Sequence, residues 1–356
     1  MNGEPATRYD REPDALDDIS PDVSLRTTVY GTLLRPIHAL GWRRLRWGAF
    51  GVYFTLLAWI VATNGVPTGR TTLAVIIMTG LALTSIGHSW RHAGRVVVDW
   101  LPFTAVLLLY DRTRGIADHL GIAVHESDIL RAERWCFGGT EPTVWLQQHL
   151  YSPAHVYWYD AMFTLVYTSH FLATPILAAV LWLRDRAHWV RYISRVVVLA
   201  FTGLVTYCLF PEAPPWMAAR DGLTDPVARL SARGWIWLHA GNLDHVLANA
   251  QKEGSNPVAA MPSLHEAFAV LVALMIASRL RTRWRYLLAL YPVAMGVTLV
   301  YTGEHYVLDL VAGLGYALAV HFALNRWEAR RADRRLEPQV RAPADDLDER
   351  ERAALT

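Results

Sequence analysis

The stretch that decides the fold begins with MPSLH at residues 261–265 and ends with GEHYVLD at residues 303–309. In each motif a histidine lies among polar residues at the end of an apolar segment. His265 and His305 are 40 residues apart. At about 1.5 Å per helical residue, that length lets one helix cross a bilayer and a second helix return. The sequence therefore predicts that the two histidines face each other at the same membrane surface.

Composition indicates an integral membrane protein. Hydrophobic residues make up 53% of the 356 residues, and the chain contains 15 Trp and 15 Tyr. This composition argues against a soluble enzyme. Apolar runs of about 18–25 residues are long enough to span a bilayer as helices. They predict an all-α, polytopic membrane protein with about eight spans, near residues 47–66, 71–89, 94–110, 156–183, 189–210, 258–278, 284–302 and 306–325.

The distribution of arginine predicts the orientation of these spans. Clusters of arginine lie before the first span, within alternate connections and after the last span, at residues 43–46, 91–95, 184–195, 279–285 and 326–335. By the positive-inside rule, these segments are cytoplasmic. We therefore expect a protein of a bacterial cell membrane with both termini in the cytoplasm and both histidines on the outer face.

The chain divides into four predicted parts. Residues 1–25 are acidic and polar, which is typical of a disordered lead, and residues 26–93 contain two N-terminal spans. Residues 94–325 contain six spans and both histidine motifs, so we expect the catalytic core there. Residues 326–356 begin as a basic segment and continue as a predicted disordered tail.

His305 and Asp309 are four residues apart and therefore share one face of a helix. A hydrogen bond from the imidazole to the carboxylate would fix the tautomer and leave the second ring nitrogen free to attack or to accept a proton. A purely structural alternative stays open for such a pair, because His and Asp at helix ends often satisfy each other.

The earlier motif predicts a helix N-terminus. Pro262 suits the first turn of a helix, where its missing N–H costs nothing, and Ser263 and His265 follow within that turn. Free N–H groups and the helix dipole at such an end bind phosphate. Ser263 adds a hydroxyl donor, and His265 can protonate a departing alkoxide. Alone, the motif is compatible with an ordinary helix start, but two such motifs at matched depth favour a catalytic site.

PSLH at residues 262–265, followed by HYVLD at residues 305–309, resembles the type 2 phosphatidic acid phosphatase superfamily. FPEAPPW at residues 210–216 and the HYxxD form resemble its inositol phosphorylceramide synthase branch. The resemblance covers about residues 95–325 and implies a six-helix core. It also implies that His305 is the nucleophile that forms a phosphohistidine, that Asp309 orients it and that His265 is the general acid. We expect no metal and no cofactor, because enough donors around a phosphate make a metal unnecessary.

The sequence departs from the superfamily in its phosphate-binding residues. The arginine expected six residues before the nucleophile is Leu299 here, so other arginines must hold the phosphate. Arg114 and Arg112 end the third span in a segment that resembles the first motif of the synthase branch, and Arg114 is favoured. Arg220, four residues after Trp216, is a further candidate. The open alternative for each is an arginine that faces solvent or lipid headgroups.

The predicted function is phosphotransfer on a membrane lipid phosphoester through a phosphohistidine. A headgroup phosphate such as inositol phosphate would pass to a hydroxyl acceptor on a lipid or glycan. If water is the acceptor instead, the protein is a lipid phosphate or diphosphate phosphatase. The expected partners are the bilayer, the lipid substrate and the acceptor, and no nucleic acid.

Two rival classes are weaker. A proton-coupled transporter also uses intramembrane His, Asp and Glu, but here these residues cluster at one surface and no pair of broken-helix repeats is visible. A scaffold of enzyme ancestry is disfavoured because both histidines and Asp309 are present.

Overall fold

The computed structural model describes residues 41–64, 70–119, 122–238 and 258–354. Within these ranges the chain forms helices and two isolated β-bridges, and it forms no β-strand. The predicted all-α class is therefore confirmed. The predicted disordered lead, residues 1–25, lies outside the described residues. For part of the helices the description covers the backbone alone, at residues 61–62, 64, 70–71, 73, 106–119 and 335–354.

The described part of the chain contains twelve α-helices. A 3-10 helix, Arg283–Ala289, precedes the eleventh of them. The α-helices are α1 (Trp42–Asn64), α2 (Arg70–Thr84), α3 (Trp90–His119), α4 (Ser127–Cys136), α5 (Pro142–Leu150), α6 (Trp158–Arg184), α7 (Arg186–Leu209), α8 (Pro215–Arg220), α9 (Gly234–Trp237), α10 (Leu264–Ala277), α11 (Leu290–Tyr301) and α12 (Val307–Ala354).

Three of the described helices are long and apolar enough to cross a membrane by length and composition. They are α6, α7 and the first 28 residues of α12, Val307–Arg334. Two shorter apolar segments, Ala74–Thr84 within α2 and the whole of α10, fall below that length. The protein is therefore a membrane protein. The predicted number of eight spans exceeds what helix length and hydropathy establish in the described ranges.

Helix α10 occupies the centre of the bundle. It packs against α6, α7, α11 and α12, and its Ala267 and Leu271 side chains are fully buried. Its sequence is apolar on every face except for His265 and Glu266 in the first turn. A helix that is apolar all round is stable only when neighbouring helices or lipid cover all of it. The polar first turn is thus the one part of α10 that is suited to chemistry.

Two glycines let the neighbouring helices approach this first turn closely. A Cβ atom at Gly313 of α12 would lie 2.4 Å from the carbonyl oxygen of Ser263, which is the residue before α10. A Cβ atom at Gly203 of α7 would lie 2.7 Å from Cδ2 of Leu264. Only glycine permits both contacts, so the backbones of α7 and α12 fix the start of α10.

Ion pairs fix the opposite end of the bundle. Arg279, just after α10, pairs with Asp185 between α6 and α7, with an Nη1 to Oδ2 distance of 3.0 Å. The buried Arg195 of α7 pairs with Glu328 of α12 at 2.9 Å and donates to Asn325 at 2.6 Å. The arginine-rich connections therefore gather at the end of α10 that is remote from Ser263.

The limits of the last two helices differ from the predicted ones. The segment predicted as a span over residues 284–302 begins as a 3-10 helix, and α11 starts two residues before Pro292, which has no N–H to donate and fits a first turn. Helix α12 continues to Ala354, well beyond the predicted end at residue 325 and through much of the predicted disordered tail. Residues after 325 are rich in Ala, Arg and Glu, which are strong helix formers.

The contact at Gly313 generates a test of this packing. Gly313→Ala places a methyl group against the backbone of Ser263, so α10 and α12 must separate. We expect a loss of about 1–3 kcal/mol of stability, as for other overpacked sites. The readout is the midpoint of thermal unfolding in detergent, together with the specific activity.

Gly315→Ala is the matched control, because a Cβ atom at Gly315 meets nothing within 4 Å on the same helix. It should leave stability unchanged or raise it by up to about 1 kcal/mol through helix propensity. Equal effects of the two substitutions would contradict the close approach of α12 to Ser263.

Candidate active site

The first part of the site is the N-terminus of α10. Ser263 is the N-cap residue, and its Oγ accepts a hydrogen bond from the backbone N–H of Glu266 at 3.3 Å. The sequence predicted Pro262 in the first turn of the helix, but Pro262 lies just before the N-cap residue. His265 is the second helical residue. The first N–H groups of a helix have no acceptor within it, so this end suits an anion.

The second part of the site is the connection between α11 and α12. Gly303 has a φ of 75°, in the left-handed region that favours glycine. Its carbonyl oxygen accepts from the backbone N–H of Trp216 at 3.2 Å. The backbone N–H groups of Glu304 and His305 both turn back to the carbonyl oxygen of Leu299, at 3.0 and 3.3 Å. The nucleophile candidate is thus held on a tight, bonded turn.

His305 contacts both of the residues that were predicted to act with it. Its Nδ1 lies 3.2 Å from Oδ2 of Asp309, and its Nε2 lies 3.4 Å from Nδ1 of His265. The same Oδ2 accepts the backbone N–H of Tyr306 at 2.9 Å. Asp309 is fully buried, and its carbonyl oxygen accepts the N–H of Ser263 at 3.1 Å. One carboxylate therefore orients one nitrogen of His305, while the other nitrogen faces the second histidine.

Aromatic side chains of α6 surround His265. The ring of Tyr167 stacks on it with centroids 5.2 Å apart, and the ring of His170 lies 4.3 Å away. These contacts leave the edge towards His305 as the reactive side of the ring.

Arg229, which bonds to the residue before His305, was not found from the sequence. Arg229 makes a two-point ion pair with Glu304, from Nε at 2.8 Å and from Nη2 at 3.0 Å. Ser231 adds a hydrogen bond to the same carboxylate at 2.6 Å. The Arg229 guanidinium also lies over the ring of Trp216, 4.9 Å from its centroid. Although burial lowers the pKa of Arg229, the charge and hydrogen bonds of Glu304 outweigh burial and raise it.

The segment that carries Arg229 is fixed to α11 by Gln147 of α5. Its Nε2 donates to the carbonyl oxygens of Ala228 and Tyr301, each at 2.8 Å. Its Oε1 accepts the N–H of Ala228 at 2.8 Å. A buried amide with three backbone partners holds two segments in one geometry. These three bonds therefore fix the backbone beside Arg229 to α5 and α11.

The predicted phosphate-binding residues differ in their positions. Ser263 lies beside the histidine pair. Arg220 pairs with its neighbour Asp221 at 2.7 Å and is largely exposed, and its guanidinium lies 5.8 Å from the ring centroid of Trp216. Arg112 and Arg114 belong to α3, but their side chains lie outside the described part of the chain.

Two buried carboxylates near Asp309 were also missed from the sequence. Glu133 of α4 accepts the first N–H groups of α12, from Val307 at 3.0 Å and from Leu308 at 3.3 Å. Glu212 lies between α7 and α8 and is fully buried. Only the position of Glu212 inside the FPEAPPW motif gave a signal, since a single acid in the sequence does not show which distant residues it contacts. Within the described ranges, no group of three or more His, Cys, Asp or Glu has the placement of metal ligands.

Comparison with known families decides the class of this site. The family model of the PAP2 superfamily matches residues 127–323, from the start of α4 into α12. The chain belongs to the PAP2 superfamily. This confirms the resemblance of the two histidine motifs, both of which lie inside the matched residues.

A relative of this PAP2 protein points to the same branch as its motifs. Phosphoinositol dihydroceramide synthase of Bacteroides thetaiotaomicron is 26% identical to it over 282 residues, which cover 71% of this chain and 90% of that protein. No solved structure gives a significant match. Family and relative together make the protein a membrane enzyme that processes lipid phosphoesters.

Proposed function

We propose that the protein is a lipid phosphotransferase that forms a phosphohistidine on His305 and passes a headgroup phosphate to a hydroxyl acceptor. The observation that carries this proposal is the geometry of His305. Asp309 lies at Nδ1, at 3.2 Å, and His265 lies at Nε2, at 3.4 Å. A nucleophile oriented by a third group beside a proton donor is the arrangement that covalent catalysis needs.

In the first half of the reaction, Nε2 of His305 attacks the phosphorus atom. The bond between phosphorus and the lipid alkoxide oxygen breaks, and His265 donates a proton to that oxygen. The headgroup phosphate then remains bound to His305, and Asp309 stabilises the positive imidazole. General acid catalysis by a placed histidine contributes about 10²–10⁴ in rate.

In the second half, an acceptor hydroxyl attacks the same phosphorus atom. Its proton passes to His265, the phosphorus–nitrogen bond breaks and His305 returns to its first state. Burial supports transfer over hydrolysis, because His305 exposes only 4% of its surface and Asp309 none. A site that excludes water protects a reactive intermediate from hydrolysis. The name of the relative pairs a phosphoinositol group with a lipid acceptor, so inositol phosphate is the headgroup we propose.

The negative charge of the phosphate needs donors. The N-terminus of α10 supplies backbone N–H groups and the positive end of a dipole, and the Ser263 hydroxyl lies at that end. Arg229 is the cation that we propose here in place of the exposed Arg220. Its guanidinium has five N–H donors, and the pair with Glu304 uses two of them. We propose that these donors, with Arg112 and Arg114 as further candidates, make a metal unnecessary.

We also propose the predicted topology of eight spans, with residues 26–93 forming two of them and residues 94–325 forming the six-helix core. The active-site elements gather at one end of the bundle, since α4, α5 and α8 all bond to the ends of α11 and α12. The arginine-rich connections gather at the other end. The positive-inside rule then places the active site outside and both termini in the cytoplasm.

The central prediction concerns products. Detergent-purified protein, with chelator present, should convert phosphatidylinositol and a lipid acceptor into a new lipid that carries inositol phosphate, without release of free phosphate. His305→Ala should abolish the product, because it removes the covalent route. Thin-layer analysis of radiolabelled lipid, with phosphate release measured in parallel, gives the result.

Free phosphate from a panel of lipid phosphates, without a new lipid, would identify a phosphatase and overturn the transferase assignment. Full activity of His305→Ala would overturn both. Activity that disappears in chelator and returns with a divalent cation would contradict the proposed absence of a metal.

A matched pair of substitutions compares the contributions of Arg229 and Arg220. Arg229→Ala should lower kcat/KM at least about tenfold, because one donor to the reacting group is lost. Arg220→Ala removes a second arginine that lies near the ring of the same tryptophan and should cost less. Steady-state kinetics on the two variants test this order, and a larger loss for Arg220→Ala would reverse the assignment.

Topology is tested with the exposed Cys136 of α4. In a Cys208→Ala background, a membrane-impermeant thiol reagent should label Cys136 in intact cells. Arg281→Cys, placed on an otherwise cysteine-free chain, should be labelled only after the membrane is opened. The reverse pattern would place the active site on the cytoplasmic face.

A further inference from the structure

Glu212 is a buried acid that the proposed reaction does not use. It is fully buried between α7 and α8, and its backbone is fixed on both sides. Its N–H donates to the carbonyl oxygen of Val258 at 2.8 Å, and isolated parallel bridges join it to His125 and Ala259. The side chain is therefore held in place by its own backbone and is directed into the protein.

The side-chain oxygens of Glu212 lack hydrogen-bond donors. Among the described residues, no donor reaches either oxygen of Glu212 or Oδ1 of Asp309, although all three atoms are buried. The two carboxyl groups lie within hydrogen-bonding contact of each other. Two ionised carboxylates in such a contact repel each other strongly, whereas a proton on one of them creates a strong O–H···O⁻ bond. The missing donor is thus supplied if one acid of the pair is protonated.

We propose that Glu212 is a positioning residue that carries a proton and donates it in a hydrogen bond to Oδ1 of Asp309. The inference rests on the proposed function, since it concerns the carboxylate that orients the nucleophile.

The contacts of the two acids decide which one holds the proton. Oδ2 of Asp309 already accepts the N–H of Tyr306 at 2.9 Å and faces Nδ1 of His305. In both contacts this oxygen can act as the acceptor. Glu212 has no such donors, and burial, followed by the charge of Asp309, raises its pKa well above the ordinary value of a glutamate.

The surroundings of Glu212 favour the same assignment. The other titratable groups that face it are two acids and a phenol, which do not stabilise a further negative charge: Glu133, Asp128 and Tyr306. The adjacent His125 imidazole is held by Asp128, with Nδ1 and Oδ2 2.5 Å apart. Burial raises the pKa of Glu133 as well, but two backbone N–H groups at the start of α12 donate to its carboxylate and oppose that rise, whereas no described donor reaches Glu212.

A proton on Glu212 would affect catalysis through Asp309. The Glu212 hydroxyl would fix the plane of the Asp309 carboxylate, so that Oδ2 stays on His305. An ionised Glu212 would instead drive Asp309 to take up a proton, and the support for a positive imidazole would be lost. The residue therefore acts through Asp309 and does not touch the substrate.

Two substitutions whose side chains are similar in length to Glu distinguish a hydrogen-bond donor at position 212 from a side chain that only fills space. Glu212→Gln keeps a hydrogen-bond donor and cannot ionise, so kcat should stay within a few-fold of the wild type. Glu212→Met fills the same space without a donor, so kcat should fall at least about tenfold with KM little changed. Equal kcat values in the two variants would show that the residue only fills space, and would overturn the inference.

Infrared spectroscopy tests the proton without any assay of activity. At about pH 8, far above the ordinary Glu pKa of about 4.3, the wild type should show a carbonyl stretching band of a protonated carboxylic acid that Glu212→Gln removes. Glu133→Gln is the control and should leave this band in place. A wild-type spectrum that Glu212→Gln does not change would overturn the inference even if Glu212→Met were unfolded. Because the band does not depend on turnover, it would persist if the proposed transferase activity failed.

Discussion

Asp309 makes the connection on which the rest of the site depends. Its backbone carbonyl accepts the N–H of Ser263, and its carboxylate accepts the N–H of Tyr306 while facing His305. One residue therefore joins the start of α10 to the start of α12. Gly313, one turn further along α12, allows the two backbones to meet. Together these contacts fix the turn that carries His305 against the first turn of α10, which carries His265.

The charges around this junction are arranged to favour a phosphate and a transient positive imidazole. Two helix N-termini point towards the site, and their partial positive charges have separate partners. Glu133 neutralises the start of α12, while the start of α10 remains for the substrate. The positive charge of Arg229 is balanced by its ion pair with Glu304, and Ser231 donates to the same carboxylate, which keeps the guanidinium in one orientation. A preorganised set of donors of this kind acts on a transition state without the cost of reorganisation.

The parts of the structure that were predictable from sequence are those with local patterns. Apolar runs predicted an all-α membrane protein, and the motifs around His265 and His305 predicted that these residues meet. The four-residue spacing of His305 and Asp309 predicted their contact, but α12 begins at Val307, so His305 lies in the turn before the helix and the two residues do not share a helix face as predicted. In contrast, Arg229 and Glu133 act on partners 75 and about 174 residues away. Single charged residues in connections have no periodicity, so only the folded chain shows what they contact.

Helix limits failed for equally physical reasons. Pro262 was placed inside a helix, but the side chain of Ser263 caps α10 and moves its start beyond the proline. Residues 336–356 were predicted to be disordered from their charged, proline-containing composition, but α12 continues through them to Ala354. Hydropathy alone also does not establish the number of spans, because α10 and α11 are short and are stabilised by the helices around them.

The central claim is that His305 is the nucleophile, and the most direct measurement is the identification of the covalent intermediate. Purified protein would be mixed rapidly with radiolabelled phosphatidylinositol in the absence of acceptor, quenched in base to preserve an acid-labile phosphoramidate bond, digested and mapped by mass spectrometry. We predict an inositol phosphate adduct on the peptide that contains His305, lost in acid and discharged by added acceptor. An adduct on another residue, or product formation without any adduct, would contradict this account.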